Sequence, residues 1–243
     1  VAEHLFTKEN LTISLTASED GKQAFEKEAE VILSALYPDV PGEQLHMACE
    51  KKNEGFKTPG QVNYVIRSGS FKEQGIPFSG SLDVLQTLLG YGYLWNEIRV
   101  KGGAYGGGIA ISELHGRAFT YSFRDPNLAE TNAIYNTLPD YVANFDAEER
   151  EMTKNILGTM SNIDAPLSPR TEGSRSFVAY LTGKTEQDEQ RRRDEILATT
   201  AEDIRKTGPV LTAMLSSGCI CTVGSAAKVE ECRDMFGEVK TLL

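Results

Sequence analysis

The 243-residue sequence predicts an α+β fold with a mostly antiparallel sheet covered by helices. Three observations predict it. Runs with a period of two alternate with runs of helical period, so strands and helices are interleaved. Two strand-like runs, 104–112 and 117–123, are joined only by Glu113-Leu114-His115-Gly116, which reads as a hairpin. A doubly wound parallel sheet would not hold a hairpin so centrally. Just before it, residues 82–98 carry Val84, Leu85, Leu88, Leu89, Tyr93 and Trp95 with few polar positions, the pattern of a well-buried helix.

Taken in order, Leu11-Thr12-Ile13-Ser14-Leu15-Thr16 alternates as a half-buried strand does. Phe25, Ala29, Ile32 and Leu36 mark one face of a helix over 23–36. Residues 37–60, rich in Pro, Gly, Lys and Glu, read as a connection. Val62 to Ser68 alternates again and predicts a second strand. Gly102-Gly103 stops the buried helix, as a helix C-terminus prefers. After the hairpin, Asp125-Pro126 supplies an N-cap and a first-turn proline for a helix reaching 141. Asp146 and Glu149 form a capping-box-like start to the next, with Met152, Ile156 and Met160 on one stripe. Helical stretches follow near 175–182, 186–197 and 201–215, with Thr200 placed to cap the last. The chain closes with a strand, Cys219-Ile220-Cys221-Thr222-Val223, and a helix over 227–242. This strand–turn–helix ending resembles the 11–36 unit, so the chain is expected to start inside the last unit of a preceding, related domain.

Composition removes several classes of function. Twenty-five Lys and Arg stand against 35 Asp and Glu, a net charge of −10, and no basic run exceeds Arg191-Arg192-Arg193. That is a poor nucleic-acid surface. No stretch approaches the roughly 18–20 apolar residues of a membrane helix, so no membrane partner is expected. Val1-Ala2-Glu3-His4 has neither an initiator Met nor a charged-then-apolar leader, and the chain is expected to be cut from something longer. Cys49, Cys219, Cys221 and Cys232 do not make a disulfide framework. Cys219 and Cys221 share a strand face, but without a second Cys/His pair they read as core cysteines.

The informative run is Leu94 to Gly108, with five glycines among residues 102–108. A phosphate cradle needs strand, glycine loop, then helix N-terminus. Here the order is helix, glycine pair, strand, so that reading fails. Glycine instead acts as an absence of side chain. Ala104, Gly106, Gly108, Ala110 and Ser112 leave one face of the strand nearly bare, and Ala118, Thr120 and Ser122 are expected to continue it on the hairpin partner. Such a surface admits a packed helix or an extended peptide. Arg99 and Tyr105 flank the glycine pair; Arg offers a rigid fork for a carboxylate or carbonyl, and Tyr a neutral hydroxyl donor. Strict alternation would place Tyr105 with Ile109 and Ile111 in the core, unless a bulge within Gly106–Gly108 uncouples it.

This run, with Tyr121-Ser122-Phe123-Arg124-Asp125-Pro126 and the region from Ala165-Pro166 to Phe177, resembles the C-terminal non-catalytic domain of the pitrilysin/insulinase superfamily of zinc metallopeptidases, most closely its presequence protease branch. The resemblance covers roughly residues 61–225. It implies a metallopeptidase-repeat domain, similar to that of mitochondrial processing peptidase, in a protease of four such domains hinged around a closed chamber. It implies that zinc sits on an inverted His-x-x-Glu-His motif in the N-terminal domain, and that unstructured peptides are the substrates. It also implies that Arg99 and Tyr105 reach the substrate across the chamber, with Gly106 and Gly107 beside them. This sequence has no His-x-x-Glu-His. His4, His46 and His115 are isolated, and His46 to Glu50 lacks a second His. The chain is therefore expected to hold no metal and to be inactive alone.

The expected organisation is a strand–helix tail of the preceding repeat domain over 1–40, a linker over 41–60 and the peptidase-like repeat domain over 61–243. The partner would be the N-terminal catalytic half of the same chain; the alternative is an interaction or assembly subunit of a two-chain peptidase. The acidic balance favours a bacterial cytoplasm, with a mitochondrial matrix or other organelle as the alternative.

Overall fold

Six strands form one sheet in the computed structural model, which describes residues 1–39, 50–216 and 218–242. They are β1 (Glu54–Thr58), β2 (Asn63–Ser70), β3 (Gly106–Ser112), β4 (Arg117–Asp125), β5 (Cys219–Ser225) and β6 (Glu238–Thr241). The sheet order is β3-β4-β2-β5-β1-β6. The pairs β3–β4, β4–β2 and β2–β5 are antiparallel, while β1 lies parallel to both β5 and β6. The expected hairpin is β3–β4, closed by Gly116 at φ +59.

The chain divides into two units, Val1–Cys49 with Pro166–Thr185, and Glu50–Ala165 with Glu186–Leu243. In the first, the helices Ala2–Leu5, Glu19–Ser34 and Pro169–Thr182 hold no buried residue. Ser18 and Ser168 cap the two longer ones through the N–H groups of Gly21 and Thr171. The expected strand over 11–16 does not form: among the described residues this unit offers only a single bridge, Thr7 with Tyr37, and alternation without a partner cannot satisfy a strand's backbone. The likeness between the two ends of the chain fails with it.

The second unit holds the sheet and the core. Its helices pack on one sheet face, over Val65, Ile109, Ile111, Ala118 and Thr120. The buried helix runs longer than expected and changes pitch. It is α-helical over Gly80–Leu88 and π-helical over Leu89–Tyr93 and Trp95–Lys101. The helix expected from Asp125 begins instead at Ala129 and breaks in two, Ala129–Asn136 and Leu138–Ala143, at Thr137, with Pro139 in the first turn of the second. The next, Glu149–Ile163, is preceded by Glu148 rather than a side-chain cap from Asp146. Thr200 does cap Ala201–Arg205, in a capping box with Asp203. Arg192, on helix Glu186–Leu197, reaches beyond its own helix. It grips Asp83 in two bonds of 2.8 and 2.6 Å, and this pairing raises its pKa.

Two stretches depart from the sequence expectation at the far side of the sheet. Residues 54–58, read as part of a connection, are β1, because Gly55 lets Val229 and Phe236 close down on the strand. The helix expected over 227–242 ends at Glu231, and after Gly237 the chain forms edge strand β6. Positions 41–49, with His46 and Cys49, lie outside the described residues.

Tyr135 fills the centre of the core from helix Ala129–Asn136, and its hydroxyl donates to the Val65 carbonyl at 3.3 Å. Burial pushes its phenol pKa far above the ordinary value. The folded chain thus keeps this proton where the unfolded chain releases it, above about pH 10, and stability falls as pH rises past that point. Tyr135→Phe is expected to cost about 0.5–1.5 kcal/mol at pH 7 and to flatten the decline between pH 9 and 11, read as urea midpoints.

Candidate functional site

The Gly-rich turn is the C-terminus of the π-helical segment. Gly102 N–H donates to the Glu97 carbonyl at 3.0 Å, Gly103 N–H to Arg99 at 3.0 Å and Ala104 N–H to Ile98 at 3.1 Å. Gly103 stands at φ +80, the left-handed conformation that ends a helix at little cost only for glycine. Three carbonyls of the last turn are thereby satisfied, and the chain leaves directly into β3.

Tyr105 is 63% exposed and does not join Ile109 and Ile111 in the core. A bulge does uncouple it, but one strand away from the expected place. Between the pairs Asn63–Asp125 and Val65–Ser122, β4 has two residues, Phe123 and Arg124, where β2 has only Tyr64. Tyr105 N–H donates to both bulge carbonyls, Phe123 at 3.1 Å and Arg124 at 3.3 Å. The run Gly106–Gly108 itself pairs in regular register with Tyr121–Phe123. The signal that usually finds such a bulge, a glycine or asparagine at the left-handed position, is missing, because Arg124 occupies it at φ 49.

Arg99 lies between two rings. Its guanidinium carbon is 4.4 Å from the centre of Trp95 and 5.4 Å from that of Tyr105, and it donates to the Tyr105 carbonyl. Tyr105 in turn meets Phe123 edge-on at 5.8 Å. Among the described residues the Tyr105 hydroxyl makes no hydrogen bond and Arg99 no ion pair. The structure therefore brings the two predicted residues together, beside Phe123 and Trp95, which was expected in the buried helix face but is partly exposed.

Beneath them lies a buried polar anchor. The bulge reverses the parity of β4, so that Arg124 faces solvent and Asp125 is fully buried. Asp125 accepts from Asn127 N–H at 2.8 Å and from the Thr131 hydroxyl at 2.7 Å. The Asn127 side chain donates to the Gly102 carbonyl at 2.7 Å, and Asn63 donates to the Asp125 carbonyl at 2.9 Å. This network ties the glycine turn to the sheet. Asp125-Pro126 looked like a helix cap in sequence; the carboxylate is spent here instead.

The three strand glycines have separate tasks. A Cβ on Gly107 would lie 3.0 Å from Ile98, so this position allows close helix packing. One on Gly108 would lie 3.0 Å from the Tyr121 hydroxyl, whose ring already covers it. Only Gly106 faces open space. The expected small-residue surface must also be corrected. Ala118, Thr120 and Ser122 pair with Ile111, Ile109 and Gly107 on the helix side. The open side of β4 carries Phe119, Tyr121 and Phe123, each partly exposed, with Tyr64 edge-on to Phe123 at 5.2 Å. Cys219 and Cys221 lie on this open side as half-buried free thiols, not core residues, and burial raises the Cys221 pKa.

The donor set does not fit a zinc site. Among the described residues no three metal-binding side chains gather, and His115 Nδ1 is within 2.9 Å of the Ser112 hydroxyl in the hairpin turn. No helix among them is long and apolar enough to cross a membrane.

Residues 53–225 match the family described as PreP C-terminal domain. The chain is 36% identical over 244 residues to Protein HypA of Clostridium perfringens, covering 100% of this chain and 25% of that protein. It is 32% identical over 251 residues to presequence protease 1, chloroplastic/mitochondrial, of Arabidopsis thaliana, covering 100% of this chain and 23% of that protein. The peptidase M16 inactive domain from Pseudomonas fluorescens shares its fold, with a TM-score of 0.58 at 13% identity over 89% of this chain and 52% of that one. The chain thus spans about a quarter of the length of these curated relatives.

Removing the anchor should loosen the turn. Asp125→Ala is expected to cost about 2–4 kcal/mol in denaturant unfolding, from two lost bonds to a buried carboxylate. Asp125→Asn, which keeps one acceptor, should lose less.

Proposed function

The chain belongs to the PreP C-terminal domain family, and from that premise we propose that it is the non-catalytic C-terminal part of a larger zinc metalloendopeptidase that encloses and degrades unstructured peptides. In this reading the chain works with an N-terminal catalytic half of the same protein, where the zinc is held. Its own task is to wall the chamber and touch the bound peptide.

The observation that carries the proposal is the exposed Tyr105 hydroxyl, without a hydrogen bond among the described residues, beside an Arg99 that has no carboxylate partner among them. A neutral hydroxyl held at a rigid strand end can donate to the oxygen on which charge develops as a peptide carbonyl is attacked. Arg99 is pre-set between two rings and offers N–H groups to a substrate carbonyl or carboxylate. Gly106 leaves room for a peptide backbone to come near both.

The same edge can hold the peptide's main chain. Among the described residues β3 has a sheet partner on one side only. Ile111 N–H, on the other side, is taken by the Gln86 side chain at 2.7 Å. By the two-residue alternation of strand bonding, Gly107 and Ile109 point the same way, which offers an extended peptide a short ladder that Gln86 closes.

The test is turnover of a quenched unstructured peptide by the full-length protein. Tyr105→Phe is expected to lower kcat/KM by roughly 10²–10³ with melting temperature unchanged, the loss of one oxyanion donor. Unchanged turnover would leave this chain as wall or scaffold alone.

A further inference from the structure

The three arginines of helix Glu186–Leu197 are already engaged by carboxylates. Arg191 pairs with Asp188, Arg192 with Asp83 and Arg193 with Asp164. Arg99 and Arg124 are different. In a chain with ten more acidic than basic residues, neither makes an ion pair among the described residues. Both guanidinium groups rest on aromatic rings, Arg99 on Trp95 and Tyr105, and Arg124 at 5.7 Å from Phe123. The rings touch each other, Tyr105 on Phe123, so one ladder runs from Trp95 through Arg99, Tyr105 and Phe123 to Arg124. A guanidinium laid against a ring keeps its N–H edge free for a carboxylate.

Nearby acids are withheld from it. Asp125 is turned inward and held by Asn127 and Thr131, and Glu97 is bound to Lys101 at 2.6 Å. Arg124 is also the one residue other than glycine with a positive φ among the described residues. A charged side chain kept where glycine would sit without strain points to a use for that side chain.

We propose that Arg124, with Arg99 at the other end of the same ring ladder, forms a carboxylate-binding subsite at the bulged end of the β3–β4 hairpin, which takes an acidic side chain or the terminal carboxylate of an extended peptide. The inference deepens the peptide-contact reading above and rests on it. It gives the contact a chemical preference and adds Arg124, which meets the ligand directly rather than through Arg99.

Trp95 is the chain's single tryptophan and lies against Arg99, so its fluorescence reports binding without any turnover. The probes are an N-acetylated octapeptide of Phe, Val and Ala with a free C-terminus, the same peptide as its C-terminal amide, and the amide form with one central Glu. At low salt a carboxylate-bearing form is expected to bind the 243-residue chain about tenfold more tightly than the neutral amide, a charge-assisted difference that salt weakens. Preference for the free C-terminus alone assigns the subsite to a chain end, and preference for the Glu form alone assigns it to an acidic side chain. Arg124→Gly should abolish the preference while its melting temperature stays within a few degrees of wild type, because glycine adopts the left-handed backbone freely. Arg124→Lys should keep part of it. Equal affinities, including no detectable binding of any form at millimolar concentration, would overturn the subsite, as would a preference that survives Arg124→Gly. Turnover is not read here, so failure of the Tyr105 role and failure of the subsite are separate results.

Discussion

One extra residue in β4 governs the arrangement of this end of the sheet. A strand alternates its side chains with a period of two, so inserting one residue exchanges the two faces for everything beyond it. Here the insertion falls between Ser122 and Asp125. Without it, Asp125 would stand on the open face and Arg124 would point into the helices. With it, the carboxylate is buried where Asn127 and Thr131 can satisfy it, and the guanidinium is outside. The bulge also presents two carbonyls to one N–H, that of Tyr105, which holds the tyrosine at the strand end but outside the core.

The sheet consequently has two unlike faces. On the helix side, small residues on β4 let the π-helical segment and Ile98 come close, and Gly107 has no side chain because Ile98 fills its space. On the open side, the same two strands carry aromatic rings and arginines. The long helix serves this division as well. Trp95 and Arg99 meet across its last segment, and its C-terminal glycines turn the chain into β3 within four residues. The helix end, β3 and the bulged end of β4 thus hold Arg99 and Tyr105 beside each other.

Much of this was legible in the sequence where one physical cause dominates. The hairpin follows from two alternating runs and a short turn, the buried helix from an almost wholly apolar stripe, and the helix stop from Gly102-Gly103. The pairing of Arg99 with Tyr105 was legible through a family resemblance, since alternation alone argued for burial. Other features have no local signal. An α-helix and a π-helix share one hydrophobic pattern, so the change of pitch after Leu88 is invisible. β1 is written in Glu, Gly, Phe, Lys and Thr, and becomes a strand between β5 and β6, with Val229 and Phe236 packed onto Gly55. The bulge hides because an arginine occupies the position where glycine would announce it. Asp125-Pro126 is a sound helix start by propensity, and tertiary hydrogen bonding overrides it.

The central claim is that the bulged end of the hairpin lies against a bound peptide. Amide hydrogen exchange of the full-length protein, with and without a saturating peptide that it cannot cleave, tests this most directly. The account predicts that the amides of Gly107 and Ile109 slow on binding, while those of β1 and β6, at the other side of the sheet, do not change. Exchange at Gly107 and Ile109 that stays the same with peptide bound would contradict it.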